Sequence, residues 1–339
     1  MPKAATETPV MEKNLLLISE VAEDHSFATE VARAGGYQLL IAKNSAEACM
    51  QVGKFKDLTV FTDISTEVEF KAFDDNFRPL IGETAPLIHP NRVHLIGPEG
   101  VDSIRNLGRS GIFGHYIVRR YGNPQDAGAH YGKILRGLTT KQGLGLGDLI
   151  SPIGSINIIK LGHSSEKIPA LKKIHTFLTE ETSYDERMSQ VIVNAVDELL
   201  MNAIYDAPPD PSGEQKLKKV RRDTPLELTG NNSVELQMGF DGTYAAFTVI
   251  DRFGAINKLK LLTHLFESFS REKYQVNEGQ AGAGVGLATT FRTGGSLVFL
   301  SEPGVRTEVT VFFKKTNSFK DFRTQFRFIS VHVGAAEEK

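Results

Sequence analysis

A single cysteine, Cys49, stands in the 339 residues, so the chain can form no intramolecular disulfide and no multi-cysteine zinc site. No run of about 18 apolar residues occurs, which excludes a bilayer-spanning helix. Neither sign of charge is in excess: 39 Lys and Arg against 41 Asp and Glu leave −2. A balance of that kind offers no long-range attraction to nucleic acid or to an anionic membrane. The opening MPKAATETPVMEKN lacks the apolar core of a signal peptide, and the expected location is cytoplasmic. What the chain does have is 40% hydrophobic and 24% charged residues, a composition of packed cores rather than of long disorder. At about 150 residues per domain, the length suggests two domains.

The first half reads as strands alternating with helices. Strand-like runs fall at Leu15–Ile18, Gln38–Ala42, Leu58–Thr62, Val93–Ile96 and Tyr116–Val118, and helical stretches around Ser45–Val52 and Asp126–Leu138. Such alternation predicts an α/β domain with a doubly wound parallel sheet over residues 14–138. The Pro-containing stretch Ser65–Arg92 reads as an insertion or extended loop. Residues 139–154, TTKQGLGLGDLISPIG, have the composition of a linker. From 155 to 333 the pattern changes: helices gather at Leu171–Leu178, Asp185–Ala207 and Lys258–Phe269, and the remaining strands close the chain. Helices on one side of a mostly antiparallel sheet predict an α+β two-layer sandwich.

Chemistry concentrates in this second half. The helix at Asp185–Ala207 carries Met188, Val191, Ile192, Ala195 and Leu199 on one face, at the spacing of a core-facing stripe. Beside it run Asn194, Glu198 and Asn202, four residues apart, so that amide and carboxylate side chains share a face. Three such residues alone describe a solvated stripe equally well. Downstream, a strand ends at Asp251-Arg252-Phe253-Gly254-Ala255. An acid there can accept a hydrogen bond from a ligand amino group or serve as a turn residue. Gly282-Ala283-Gly284-Val285-Gly286-Leu287 then leaves backbone N–H groups free to meet an anion where a helix begins. Thr307 opens an alternating strand.

In this order and spacing the segments resemble the nucleotide-binding domain of the gyrase, heat-shock chaperone, histidine-kinase and mismatch-repair ATPases, the Bergerat fold. Glu198-Leu-Leu-Met-Asn202-Ala203 resembles the N box, Asp251-Arg-Phe-Gly254-Ala the first glycine box, and Gly282-Ala-Gly284-Val-Gly286-Leu287 the second. Leu265-Phe-Glu-Ser-Phe269 resembles the phenylalanine motif of histidine kinases. The resemblance covers about residues 155–315. It implies ATP or ADP with Mg²⁺ as the cofactors, Asn202 as the Mg²⁺ ligand, and Glu198 as the residue that orients or deprotonates the attacking group. Asp251 would accept from the adenine amino group, with Gly254 in the same box. Gly282, Gly284 and Gly286 would hold the phosphates, and Thr307 would support the adenine pocket. The chain departs from the pattern where Phe253 and Ala255 flank Gly254, and where Tyr205 and Asp206 follow Asn202. Arg271 and Lys273, in the lid of the resembled domain, would offset the charge of Asp206.

Histidine kinases place a phosphoacceptor histidine on a two-helix hairpin just upstream. Here that place holds a Gly-rich segment and His163 beside a turn, so the closest resemblance is to anti-sigma-factor serine kinases. The first half resembles a response-regulator receiver, with Asp63 at the acceptor place. Ser19-Glu20 stands where that family has an acidic pair, and Val118 or Arg119 where it has a lysine, so a pseudo-receiver used for contacts is expected. The 208–230 stretch holds a basic run at Lys216–Arg222 that reads as a solvated loop. Phe319, Phe322, Phe326 and Phe328 read as core, as does Cys49. The expected function is an intracellular signalling protein that binds nucleotide and phosphorylates Ser, Thr or His on a protein partner. The alternative is a catalytically weak, nucleotide-dependent interaction switch. The partner would be a signalling protein met through the receiver-like half, with no membrane and no nucleic acid, and related kinases suggest a homodimer. A DNA-gating ATPase would need a transducer domain, and only 339 − 314 = 25 residues follow Lys314.

Overall fold

Leu15, Leu16, Leu17 and Ile18 are buried one after another, so the first strand is covered on both faces, as strands of a parallel sheet are. The computed structural model describes residues 13–55, 57–81, 87–99, 106–107, 111–139, 145–208, 224–271 and 283–334. In the first half, β1 (Lys13–Ile18), β2 (Tyr37–Ala42), β3 (Leu58–Asp63), β4 (Val93–Gly97) and β5 (His115–Val118) pair in parallel in the order β2-β1-β3-β4-β5. That is a doubly wound order, which turns back at β1 and β3. Helices α1 (Ala22–Gly35) and α4 (Pro124–Thr139) pack together on one face. On the other lie α2 (Ser45–Val52) and α3 (Glu67–Phe77). Helix α3 falls inside the stretch read from sequence as an extended loop. A capping box between Thr66 and Glu69, and Phe70, Phe73 and Phe77 buried on one helical face, override the prolines that follow.

The second half adds β6 (Asn157–Leu161), β7 (Val234–Phe240), β8 (Tyr244–Asp251), β9 (Ser296–Glu302), β10 (Arg306–Lys314) and β11 (Phe328–Val333). All of its pairings are antiparallel except β9 with β11. Its main helices are α6 (Lys167–Thr176), α7 (Glu186–Met201), α8 (Lys258–Arg271) and α9 (Ala283–Arg292). Their apolar faces join the core that also covers Leu16 and Ile18. The short α5 (Leu146–Leu149) lies within the 139–154 stretch, and its Leu146 and Leu149 are buried. A last turn, α10 (Phe319–Arg323), buries Phe322. Cys49 is half-buried.

How the halves join has no local signature in the residues. One eleven-stranded mixed sheet runs through both, because β11 lies antiparallel to β5 and parallel to β9. Both strands would otherwise end in rows of unpaired N–H and C=O groups, and β11 satisfies both edges at once. The α/β class expected from the sequence holds. The sheet of the second half is not bare on its far face, however. There α4 and α5 cover Tyr244, Val298 and Phe312, with the His130 ring stacked 3.6 Å from that of Tyr244. At the junction His94, His115 and His332 stack across β4, β5 and β11 with centroids 4.0 and 4.5 Å apart. The Ser330 hydroxyl bonds both His115 (2.9 Å) and His332 (3.0 Å).

Candidate functional site

Helix α7 begins where the Asp185 carboxylate accepts from the Arg187 N–H at 2.9 Å, an N-cap that suits the positive end of the helix. Met188, Ile192, Ala195, Val196 and Leu199 are buried along its core face. The neighbouring polar stripe sinks as it advances. Asn194 is exposed and accepts from Gln190 at 2.9 Å, whereas Glu198 and Asn202 are half-buried. At Asn202 the helix widens into a π-turn, Asn202–Asp206, packed against β8, and the Asn202 carbonyl accepts from the Ala207 N–H at 2.8 Å. Such widenings are rare and gather at functional sites. The Asn202 side-chain oxygen is buried without a hydrogen-bond partner among the described residues. A buried polar atom left unpaired costs about 1–3 kcal/mol. An amide oxygen held this way fits a hard cation such as Mg²⁺.

One turn earlier, the Glu198 side chain lies against Gly286 in the first turn of α9. A Cβ at that position would overlap the Glu198 carboxyl and come within 2.7 Å of its Cγ, so any larger residue would push the Glu198 side chain aside. Ala283 to Gly286 form the first turn of the helix, the end at which helix N–H groups point outward and the dipole is positive. Gly284 and Gly286 therefore lie at the anion-attracting end of α9, and Gly286 is beside Glu198. Gly282 and Lys273 lie outside the described residues, as do the Arg271 side chain and the basic run 216–222.

Asp251 ends β8 directly opposite Thr307 of β10. It is 5% exposed, its Oδ1 accepts from the Phe253 N–H at 2.9 Å, and burial pushes its carboxyl up to about 6 against the pull of the Phe253, Gly254 and Thr307 donors. Gly254 has φ +59°, and a Cβ there would run into the turn between β9 and β10, 2.7 Å from the Gly304 nitrogen. The turn after Asp251 therefore packs directly on the β9–β10 turn, where the Gly304 N–H donates to the Gly254 carbonyl at 3.4 Å. Asp206, one of the departures from the resembled pattern, is buried in the π-turn that starts at Asn202.

A second cluster lies at the C-terminal ends of β3 and β5. Asp63 pairs with Arg119 and accepts from Ser65 at 3.2 Å. Arg119 also bonds Asp24, whose fully buried carboxylate accepts from Ser19 (2.7 Å) and Tyr121 (2.6 Å). Burial raises the Asp63 carboxyl above the usual range, and Arg119 opposes that shift. Asp24 escaped the sequence reading, although it stands three, four and seven residues before Phe27, Ala28 and Val31, an acid on an apolar stripe. Among the described residues, no group of three or more His, Cys, Asp or Glu is placed to hold a metal, and no helix is long and apolar enough to cross a membrane. Compared with known proteins, the chain matches no family model and no curated protein.

Proposed function

We propose that the protein is a signalling ATPase-fold protein whose second half binds ATP or ADP with Mg²⁺ and phosphorylates a protein partner, with a pseudo-receiver as its first half. The observation that carries this reading is the pairing on α7: the Asn202 oxygen, buried and without a partner, one turn beyond Glu198, which lies against the glycine end of α9. Asn202 would hold Mg²⁺, which supplies charge neutralisation to the phosphates. Glu198 would accept the proton of the attacking hydroxyl at its carboxylate. Asp251, supported by Thr307, would accept from the adenine amino group. In the first half, Arg119 fills the place beside Asp63 that a phosphoryl group would need.

Asp206 favours a second reading, a nucleotide-dependent interaction switch with little turnover, because a buried acid beside Asn202 repels phosphate. The deciding experiment is to identify nucleotide that co-purifies with the full chain and to titrate ATP and ADP calorimetrically with and without Mg²⁺. Binding that needs Mg²⁺ is expected. No binding of either nucleotide at millimolar concentration would remove both readings.

A further inference from the structure

The end of α9 remote from Glu198 is held by an unusual residue. Arg327, just before β11, is 1% exposed. Its Nη1 donates to the carbonyls of Phe291 (2.9 Å) and Arg292 (3.0 Å), the last two residues of α9, and its guanidinium lies 5.3 Å over the Phe291 ring. A cation at this place suits both the unpaired carbonyls and the negative end of the helix. The other arm, Nη2, pairs with Glu99, two residues beyond β4 in the first half. Glu99 also takes Arg120 Nη1 at 2.5 Å. Arg120 follows Arg119, which closes the Asp24–Asp63 cluster, and the Arg327 carbonyl accepts from Val118 of β5 at 3.0 Å. The counter-ion of the α9 clamp therefore belongs to the other half of the molecule.

A buried guanidinium stays where its counter-ion is, because leaving it unpaired is far costlier than leaving the pair intact. Helix α9 has ten residues and spans about 15 Å. A rod this short passes a tilt at its C-terminal carbonyls to Gly284 and Gly286 at its start. We infer that Arg327, fixed by Glu99, is a positioning residue for α9, and that the first half thereby sets where the anion-binding end of that helix lies. The inference rests on the nucleotide-binding reading for its effect on ligand, but the positioning itself can be read without ligand.

The test uses the full chain and three forms: wild type, Glu99→Gln and Glu99→Asp. Glu99 is partly exposed, and glutamine keeps an acceptor for Arg327 while removing the charge. Hydrogen exchange of residues 283–292 in the absence of nucleotide should rise about tenfold in Glu99→Gln, the scale of a charged hydrogen bond weakened, and return toward wild type in Glu99→Asp. Affinity for Mg-ATP should fall by a similar factor in Glu99→Gln, while affinity for adenosine, which has no phosphates, stays within twofold. Unchanged exchange over 283–292 overturns the inference whether or not nucleotide binds. Equal losses for ATP and adenosine overturn it too, since they mark general destabilisation. Raised exchange confined to 283–292 in a chain that binds neither ligand upholds the positioning role and sinks the nucleotide reading alone.

Discussion

Arg119 joins Asp24 of α1 to Asp63 of β3, donating to Asp24 at 3.0 Å and pairing with Asp63 through the same guanidinium. Two carboxylates share one fixed cation, and Ser19 and Tyr121 occupy Asp24 as well. The cluster is closed by the chain's own groups. Acetyl phosphate should therefore leave Asp63 unmodified, as read by intact-mass spectrometry, and a stable phosphoaspartate would show the pseudo-receiver reading to be wrong. Asp24→Ala should destabilise the fold by about 1–3 kcal/mol in urea unfolding, because it takes the buried acceptor from the Ser19 and Tyr121 hydroxyls and leaves Arg119 with Asp63 alone.

His94, His115 and His130 are buried and His332 is half-buried, packed on the His115 ring. Burial lowers the ring pKa of each, to about 3 for His130 and His332. The cations nearest them, Lys258 at the junction and Lys133 and Lys314 beside His130, push the same way. The unfolded chain takes up protons near pH 6.5 and the folded chain does not, so stability is full above that pH and is lost as pH falls below it. Each histidine contributes up to about 1.4 kcal/mol per pH unit. Urea midpoints should drop steeply from pH 6.5 to 5, and His332→Gln should make the slope shallower by about a quarter. A flat profile across that window would contradict the buried, neutral stack.

Much of this architecture could be read from periodicity. The β1 run Leu15–Ile18, the α7 stripe and the closing strands lie close to where local pattern put them, since burial on one or both faces dictates those patterns. Helix α3 was hidden by the prolines that follow it, although Thr66 and Glu69 carry its start signal. The β5–β11 junction was not legible, because pairing across 210 residues leaves no local trace (Phe328 opposite Ile117). For the same reason Arg327 and Glu99 meant nothing until the fold put them together. Motif order alone assembled Glu198, Asn202, Asp251 and Thr307. It gave no indication that Gly254 is held by the β9–β10 turn, or that Gly286 makes room for Glu198.

Gly254 and Gly304 both have positive φ, +59° and +73°, but only Gly254 is crowded. Gly304→Ala meets nothing within 4 Å and should cost only the left-handed penalty, about 1–2 kcal/mol. Gly254→Ala adds a collision with the backbone of Glu302 and Gly304 and should cost several-fold more, or prevent folding. Thermal unfolding of the two variants side by side decides it. Equal losses would mean that Gly254 does not lock the turn.

Under the proposed function, Asp251 would set stability against recognition. Its carboxyl is raised from 3.8 to about 6, so ionising it in place strains the fold, and stability falls as pH rises from about 4 to 6. Asp251→Asn keeps an acceptor for the Phe253 N–H and removes the buried charge. The variant should be more stable than wild type at pH 7, by up to about 3 kcal/mol, and no more stable at pH 4. Its ATP affinity should nonetheless fall by roughly 1.5–3 kcal/mol, with GTP affected far less. Calorimetry showing equal losses for the two nucleotides would remove Asp251 from adenine recognition.

Asn202, at the end of α7, lies one turn beyond Glu198, yet the proposed chemistry would ask different things of the two. The Asn202 oxygen is buried and without a partner, so Asn202→Ala takes away the group that fits Mg²⁺ and should weaken Mg-dependent nucleotide binding. It should cost the fold little on the oxygen's account, because that oxygen makes no hydrogen bond among the described residues. Glu198→Ala frees the space beside Gly286 and removes a carboxylate from the anion-attracting end of α9. Nucleotide should then bind as well as before or better, since a negative charge near the phosphates is gone. Turnover should fall about 10²–10⁴-fold, the contribution of a general base. If wild type neither hydrolyses nor transfers, and Glu198→Ala alters only partner affinity, the switch reading stands and the kinase reading fails. Should Asn202→Ala bind Mg-ATP like wild type, the orphaned oxygen has another purpose and the assignment of this helix to nucleotide is lost.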